Sequence, residues 1–522
     1  MAYKILWYSI PALHDNTNGA AIHNKILLEA LAARGFTVKA LNATVADDPR
    51  GLAIFDKIVA QIKPDPQKSF LQFYDKGVEY IVVKTKHQRS DEVNTADQGL
   101  IFNIFSQFLE KYQPDLIMGY SGDFFSCYAR HEAHVRGIPL VYAICNGLHR
   151  SFAFPDCDLV FSPSEATAKF YRENDGIDVK AVGQFIDRAK VTAADRSGAK
   201  YITLINPVPE KGLAILVKLA QIWQQRHPEQ KFMVVKSVGD YDQLVCRLHY
   251  ADGNPFISEE VRKQNPQVVR QVLHNIDVAE HTDDVRLVYA LTKVLLVPSV
   301  WHEAWGCVAT EANFNNIPVL ASQSGGLAEA VHGGGINLPA PASTQRDYYC
   351  IPSDEEIMPW VEALERLLNE DWSKQCAEAS AYNDLDRSVD RLLEYMLPLM
   401  EKGSKEKRPL EKSHFFSAKT MEQHKATFEA AEAAAAAQAA AATQEEASKQ
   451  AAPAAPGTEQ QVANQAAPTA LAAATAAASS TASALAAAPQ KPTQPQDKAQ
   501  AKPAASQPKN QSNKSRKNKK KR

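Results

Sequence analysis

Two carboxylates, Glu303 and Glu311, stand with seven residues between them in a stretch that reads VPSVWHEAWGCVATEANFNNIPVLASQSGGLAEAV, Val297 to Val331. A carboxylate only accepts hydrogen bonds, so such a pair suits the gripping of hydroxyls, one group on a ribose and one on a sugar. The backbone amides of Trp305, Gly306 and Cys307 fall where a helix should begin, and unpaired N–H groups with the helix dipole attract phosphate there. Far upstream, Lys211-Gly212 follows an apolar run and opens another helical stretch, where a lone lysine is ordinarily a solvated helix-start residue. The plain alternative for the carboxylates is two surface glutamates near a helix start.

These residues need a scaffold, and the pattern around them supplies one. Val294 to Val297 reads as a buried strand closed by Pro298-Ser299. A loop carries Trp301, His302 and Glu303, and a helix runs from Gly306 through Asn315. Pro318-Val319-Leu320 starts the next strand, Ser324-Gly325-Gly326 is a glycine turn, and a further helix starts near Leu327. Strand, loop, helix, strand, turn, helix is a unit of an open parallel sheet, which binds ligands beyond the carboxyl ends of its strands. Lys200 to Ile205, the turn Asn206 to Gly212 and a helix from Leu213 to Gln225 form a second such unit. Phe232 to Val235 is a strand and Val285 to Leu291 a helix.

The first part of the chain repeats the theme. Lys4 to Ser9 is a buried strand, His14 to Ala20 a polar loop containing Asn18-Gly19, and Ile22 to Arg34 a helix with Ile22, Ile26, Leu27, Ala30 and Leu31 on one face. Asp91 to Tyr112 reads as a helix and Asp115 to Gly119 as a strand; Cys157 to Glu165 resembles, in the family considered below, the last strand of this half and the start of the helix after it. Asp156-Cys157-Asp158 spells a pattern that elsewhere holds metal; ahead of a buried strand it reads as structural. Gly183 to Ser197 reads as a linker. Glu355 to Asn369 and Asp384 to Leu397 are amphipathic helices.

Pro298-Ser299, Glu303-Ala304-Trp305-Gly306, Glu311-Ala312, Pro318-Val319 and Gly325-Gly326, in this order, resemble the donor site of retaining glycosyltransferases of family 4, over about Lys4 to Leu397. The resemblance implies an α/β GT-B fold: two Rossmann-like doubly wound domains facing across a cleft. It puts an acceptor domain at 1–185 and a nucleotide-sugar domain with a return helix at 186–400. It implies transfer of a sugar from a nucleoside-diphosphate sugar to a glycan, lipid or other acceptor, with the anomeric configuration retained. Lys211 and Glu303 would be catalytic. Gly19, Asn206, Lys211, Glu303, Trp305, Gly306, Cys307 and Glu311 would hold the donor, with Glu311 on the ribose. No metal and no cofactor are implied, since the nucleotide sugar is the substrate. The chain departs from the family pattern at Asn206, where an Arg is usual, at Trp305, where Phe is usual, and at Tyr120, near which a His is usual. Another GT-B enzyme, such as a sugar-nucleotide epimerase or a phosphorylase, and a binding protein that kept the fold are the alternatives.

Composition sets the remaining bounds. Of 522 residues, those after about 400 are Ala, Gln, Pro and Lys, so the formal net charge of −2 averages an ordinary body with a basic end. Residues 401–522 cannot bury enough apolar area to offset chain entropy and read as a disordered tail. Its basic end, Lys514 to Arg522, could meet an anionic membrane or polymer, or serve only solubility. Seven scattered cysteines without a C-x-x-C pair point to reduced thiols. No leader or membrane-spanning run is legible, so the expectation is a cytoplasmic protein, with the inner face of a membrane as a peripheral option.

Overall fold

The computed structural model describes residues 2–65, 67–145 and 154–407, with scattered residues between 426 and 441. The chain divides into two units, residues 1–430 and 431–522. In the second, the described residues, all between 433 and 441, are helical and exposed. Apart from residues 401–407, 426, 429 and 430, the rest of the tail expected to be disordered lies outside the described residues.

Apolar runs in residues 4–181 build an eight-stranded sheet: β1 (Lys4–Tyr8), β2 (Thr37–Ala43), β3 (Phe70–Asp75), β4 (Val78–Val83), β5 (Leu116–Gly119), β6 (Leu140–Ala143), β7 (Leu159–Ser162) and β8 (Val179–Ala181). Its order is β3-β4-β2-β1-β5-β6-β7-β8, parallel throughout except for the β3–β4 hairpin. A second sheet holds β9 (Tyr201–Ile205), β10 (Phe232–Val235), β11 (Ile276–Ala279), β12 (Thr292–Val297), β13 (Val319–Ser322) and β14 (Gly335–Leu338). Its order, β11-β10-β9-β12-β13-β14, is fully parallel. The chain starts at β9, winds to one edge, returns and winds to the other, so the order reverses between β9 and β12. Loops leaving those two strands open a crevice at the switch point. The first sheet has its own switch between β1 and β5. The fold is GT-B, as the sequence implied.

Local readings hold for most elements and fail where tertiary packing overrides a local signal. The first long helix spans Gly19–Ala33 and starts earlier than Ile22 because Asn18 caps it, accepting from the amides of Ala20 and Ala21. The helix read from Asp91 begins only at Thr95, where Asn94 and Asp97 form a reciprocal capping box. β7 is not the last strand of its sheet, since β8 follows it. The final helix, read as ending at Leu397 before Pro398, runs Leu385–Glu406. Its buried stripe continues past the proline through Met400 and Gly403, and Leu392, Met396 and Met400 enter the core of the first sheet. Packing of that stripe outweighs the lost backbone bond. The tail boundary at 400 therefore moves: Gly403 sits so close to the Asp115 carbonyl that a Cβ would lie 1.9 Å from it, and Lys407 pairs with Asp115 at 2.9 Å.

Candidate active site

The turn after β9 brings Lys211 to the switch point. Pro209–Lys211 forms one 3-10 turn and Gly212 takes φ +86°. A side chain at Gly212 would stand 2.2 Å from the Pro298 carbonyl, so only glycine lets this turn rest on the loop leaving β12. The Val300 amide donates to the Glu210 carbonyl at 2.8 Å and fastens the two loops together.

On the second loop, Glu303 is 7% exposed and its Oε1 gathers three donors. The Ser299 hydroxyl reaches it at 2.6 Å, the Trp301 indole N–H at 2.9 Å, and the Lys211 ammonium forms an ion pair with it. The same ammonium lies 4.9 Å from the centre of the Trp301 ring. The glycine pair 325–326 holds the loop from below: Gly326 donates to the Glu303 carbonyl at 2.8 Å, and a Cβ on Gly325 would stand 2.1 Å from that oxygen. Lys211 and Glu303, separated by 92 residues in sequence, are thus brought into one pair.

Gly306, at φ +102°, starts the helix Cys307–Phe314, and no side chain caps it. The Ala309 amide turns back to the Gly306 carbonyl at 2.9 Å, while the Cys307 and Val308 amides have no acceptor among the described residues. Glu311 lies on this helix and accepts from the Tyr289 hydroxyl at 2.6 Å; burial pushes its carboxyl up, and the Tyr289 bond pulls it back. Burial also pushes the Cys307 thiol up, and the Glu311 carboxylate adds to the rise.

A cavity of about 300 Å³ opens between the two sheets. Lys211, Trp301 and Cys307 line it from one side. From the other side come Asn18, Gly19, His23, Asn24 and Cys145, with Gln184 at the linker. A methyl on Gly19 would meet nothing nearer than His23, at 3.9 Å, so the missing side chain leaves open space rather than relieving a clash within the chain. Burial pulls His23 down to about 4, so it faces Cys307 as a neutral ring, Nδ1 to Sγ 3.8 Å. Burial lifts Cys145 to about 12.

Not every expected residue faces this space. The Trp305 ring is 3% exposed, packs into the core of the second sheet and donates to Thr310 at 3.0 Å, leaving its backbone as its only means of meeting a donor. Asn206 holds φ +63° and accepts the Gly239 amide at 3.1 Å, which secures the loop after β10; it does not line the cavity. Asp158 accepts the Leu140 amide at 2.9 Å, a structural role as expected. Tyr120 packs against Trp7 at 5.8 Å, and its hydroxyl has no partner among the described residues. Sequence reasoning gave no role to Ser299, Trp301, Tyr289, His23 or Cys145. Ser299 and Trp301 could have been found, since they flank Glu303 at short spacing; nothing local marks the others. Among the described residues, no helix is long and apolar enough to cross a membrane.

Residues 190–383 match the family described as glycosyl transferases group 1, so this part of the chain carries that domain. A D-inositol 3-phosphate glycosyltransferase of Corynebacterium diphtheriae is 26% identical over 167 residues, 32% of this chain. The match spans about a third of that relative's length, 33%. Sucrose-phosphate synthase from Thermosynechococcus elongatus has a similar structure, TM-score 0.52 at 16% identity, over 76% of this chain and 99% of that one. HepE of Anabaena, solved in complex with UDP and glucose, gives TM-score 0.51 at 16% identity, over 76% and 99%.

Proposed function

We propose that the protein is a retaining glycosyltransferase of the family 4 kind, moving a sugar from a nucleoside-diphosphate sugar to a glycan or lipid-linked acceptor. The observation that carries this reading is the Lys211–Glu303 pair at the switch point of the second sheet, beside an uncapped helix start and above an interdomain cavity.

In this reading the diphosphate takes the Lys211 ammonium and the free amides after Gly306. Negative charge grows on the diphosphate as the sugar–oxygen bond breaks, so a cation fixed beside it is worth more in the transition state than before it. The Lys211 ammonium then divides its attention between Glu303 and phosphate, and Glu303 becomes free to accept from sugar hydroxyls while Ser299 and Trp301 keep it oriented. Glu311 accepts from the ribose, taking up hydroxyls in place of or beside Tyr289. The leaving phosphate takes the acceptor proton on the same face, which retains the configuration. Asn206 brings no charge, so Lys211 carries the neutralisation with backbone amides alone.

UDP-sugars are the first donors to try, because HepE shares the fold and was solved with UDP and glucose. Incubation with a panel of nucleotide sugars, with and without a crude acceptor fraction, followed by proton NMR of the products, tests the reading. An acceptor-dependent product of unchanged anomeric configuration is expected. Sugar phosphate released from the acceptor fraction on addition of inorganic phosphate would make it a phosphorylase, a changed nucleotide sugar without acceptor an epimerase, and no turnover with intact binding a binding protein.

A further inference from the structure

We propose that Glu329 is a positioning residue that fixes the Glu303 loop against the first half of the molecule, so that donor site and acceptor side meet in register. The proposal rests on the donor reading above.

The Glu329 carboxylate reaches across the interdomain boundary to the helix Glu165–Asp175. Its Oε2 accepts the Glu165 amide at 2.7 Å and its Oε1 the Ala166 amide at 2.9 Å. These are first-turn amides, which have no partner within their own helix, and a negative charge there is favoured by the helix dipole. The hydroxyl of Ser164, the helix's own cap, accepts the Thr167 amide at 3.2 Å. One half of the molecule thus completes the capping of a helix in the other.

The same segment grips the catalytic loop. Glu329 stands three residues beyond Gly326, whose amide holds the Glu303 carbonyl. A Cβ on Gly326 would stand 2.5 Å from the Ala304 carbonyl on one side and 2.6 Å from Ser164 Cβ on the other, so the turn is wedged between the loop and the capped helix. A second strap lies beside it: His302 Nε2 and Thr167 Oγ1 are 3.1 Å apart. His302, beside Glu303, is therefore tied directly to one helix of the first half, and Ala304 rests against Gly326, which packs on Ser164 at the start of that helix. Neither strap touches the cavity. Loss of a strap should leave nucleotide binding intact while the loop loses its fixed place for chemistry.

The test uses the full chain with Glu329→Ala, Glu329→Gln and Thr167→Val. Three quantities are read: UDP affinity by calorimetry, kcat and KM with a verified donor, and amide hydrogen exchange over residues 299–306. Glu329→Ala is expected to bind UDP within about threefold of wild type, to lose about tenfold or more in kcat, and to exchange faster in the loop. Glu329→Gln, which keeps one acceptor oxygen, should recover part of the loss. Thr167→Val should change in the same direction by less, and it serves if the first variant folds poorly. Wild-type kcat and loop exchange in folded Glu329→Ala overturn the proposal, as does a loss confined to UDP affinity. If the wild type binds no nucleoside diphosphate, the donor reading fails by itself. Loop exchange alone then decides: faster in Glu329→Ala supports the strap, and identical exchange rejects it.

Discussion

The two halves of this molecule share a layout and differ in what they place at the switch point. In the second half, the loops after β9 and β12 set an ammonium against a carboxylate, with a second carboxylate one helix away. In the first half, the start of the helix Gly19–Ala33 supplies Gly19 and a neutral His23, with Asn18 as its cap, and the loop after β6 supplies a protonated thiol, Cys145. A charged diphosphate needs strong, fixed partners in a water-poor place. A hydroxyl-bearing acceptor needs mainly shape and neutral hydrogen bonding. In the proposed function, the same strand–loop–helix geometry would serve two tasks, the charged half on the diphosphate and the neutral half on the acceptor.

The sharpest way to break this contrast is to remove its charge. Lys211→Ala should lower kcat by about a hundredfold or more and raise the donor KM less, because the missing cation counts most when the leaving group is charged. Ser299 and Trp301 still hold Glu303, so the variant should fold, which a melting curve verifies. Near-normal kcat in a folded variant would move the chemistry elsewhere. Lys211→Arg should rescue in part only, since a planar fork does not reproduce a compact ammonium.

Acid should act on the other half. Burial pulls both His14 and His23 down to about 4, so between pH 4 and 6.5 the unfolded chain binds protons that the folded one refuses. Stability should therefore fall as pH drops from 6.5 towards 4, by on the order of 3 kcal/mol for each ring, and level off below. Denaturant titrations across that range measure it, and His23→Gln should remove its share of the slope. A flat profile would mean that these rings are open to solvent.

The final helix tests where the first half ends. Cutting after Lys402 removes Gly403 from its seat on Asp115 and breaks the Lys407 ion pair, and should cost about 1–2 kcal/mol in stability. Cutting after Lys407 should change melting and turnover by less than about 0.5 kcal/mol. Equal behaviour of the two truncations would deny the last turn any part in the core.

The contrast also explains what could be read in advance. The second half was legible because its elements are short, sequential and closed by Pro and Gly; β10 and the helix Val285–Leu291 lie where the residue pattern put them. Residues 42–90 carry one clear local signal, Asp75-Lys76-Gly77, a hairpin turn with Lys76 and Gly77 both at positive φ. The carboxylates could be named from their spacing, but not the bond between Glu303 and Lys211. Only the strand order β9-β12 joins them, and no local pattern encodes strand order. The Trp305 ring drops out for a related reason: an aromatic beside a glycine reads as a site residue until packing claims it.

Nucleotide binding by the second half tests the central claim most directly. Titrating the wild type and Glu311→Ala with UDP, GDP and ADP in a calorimeter should show one nucleotide bound by the wild type. Its affinity should fall by about 1.5–3 kcal/mol in the variant, because a ribose hydroxyl loses its charged acceptor. Failure of the wild type to bind any of the three, or equal affinity in the two proteins, would contradict the account.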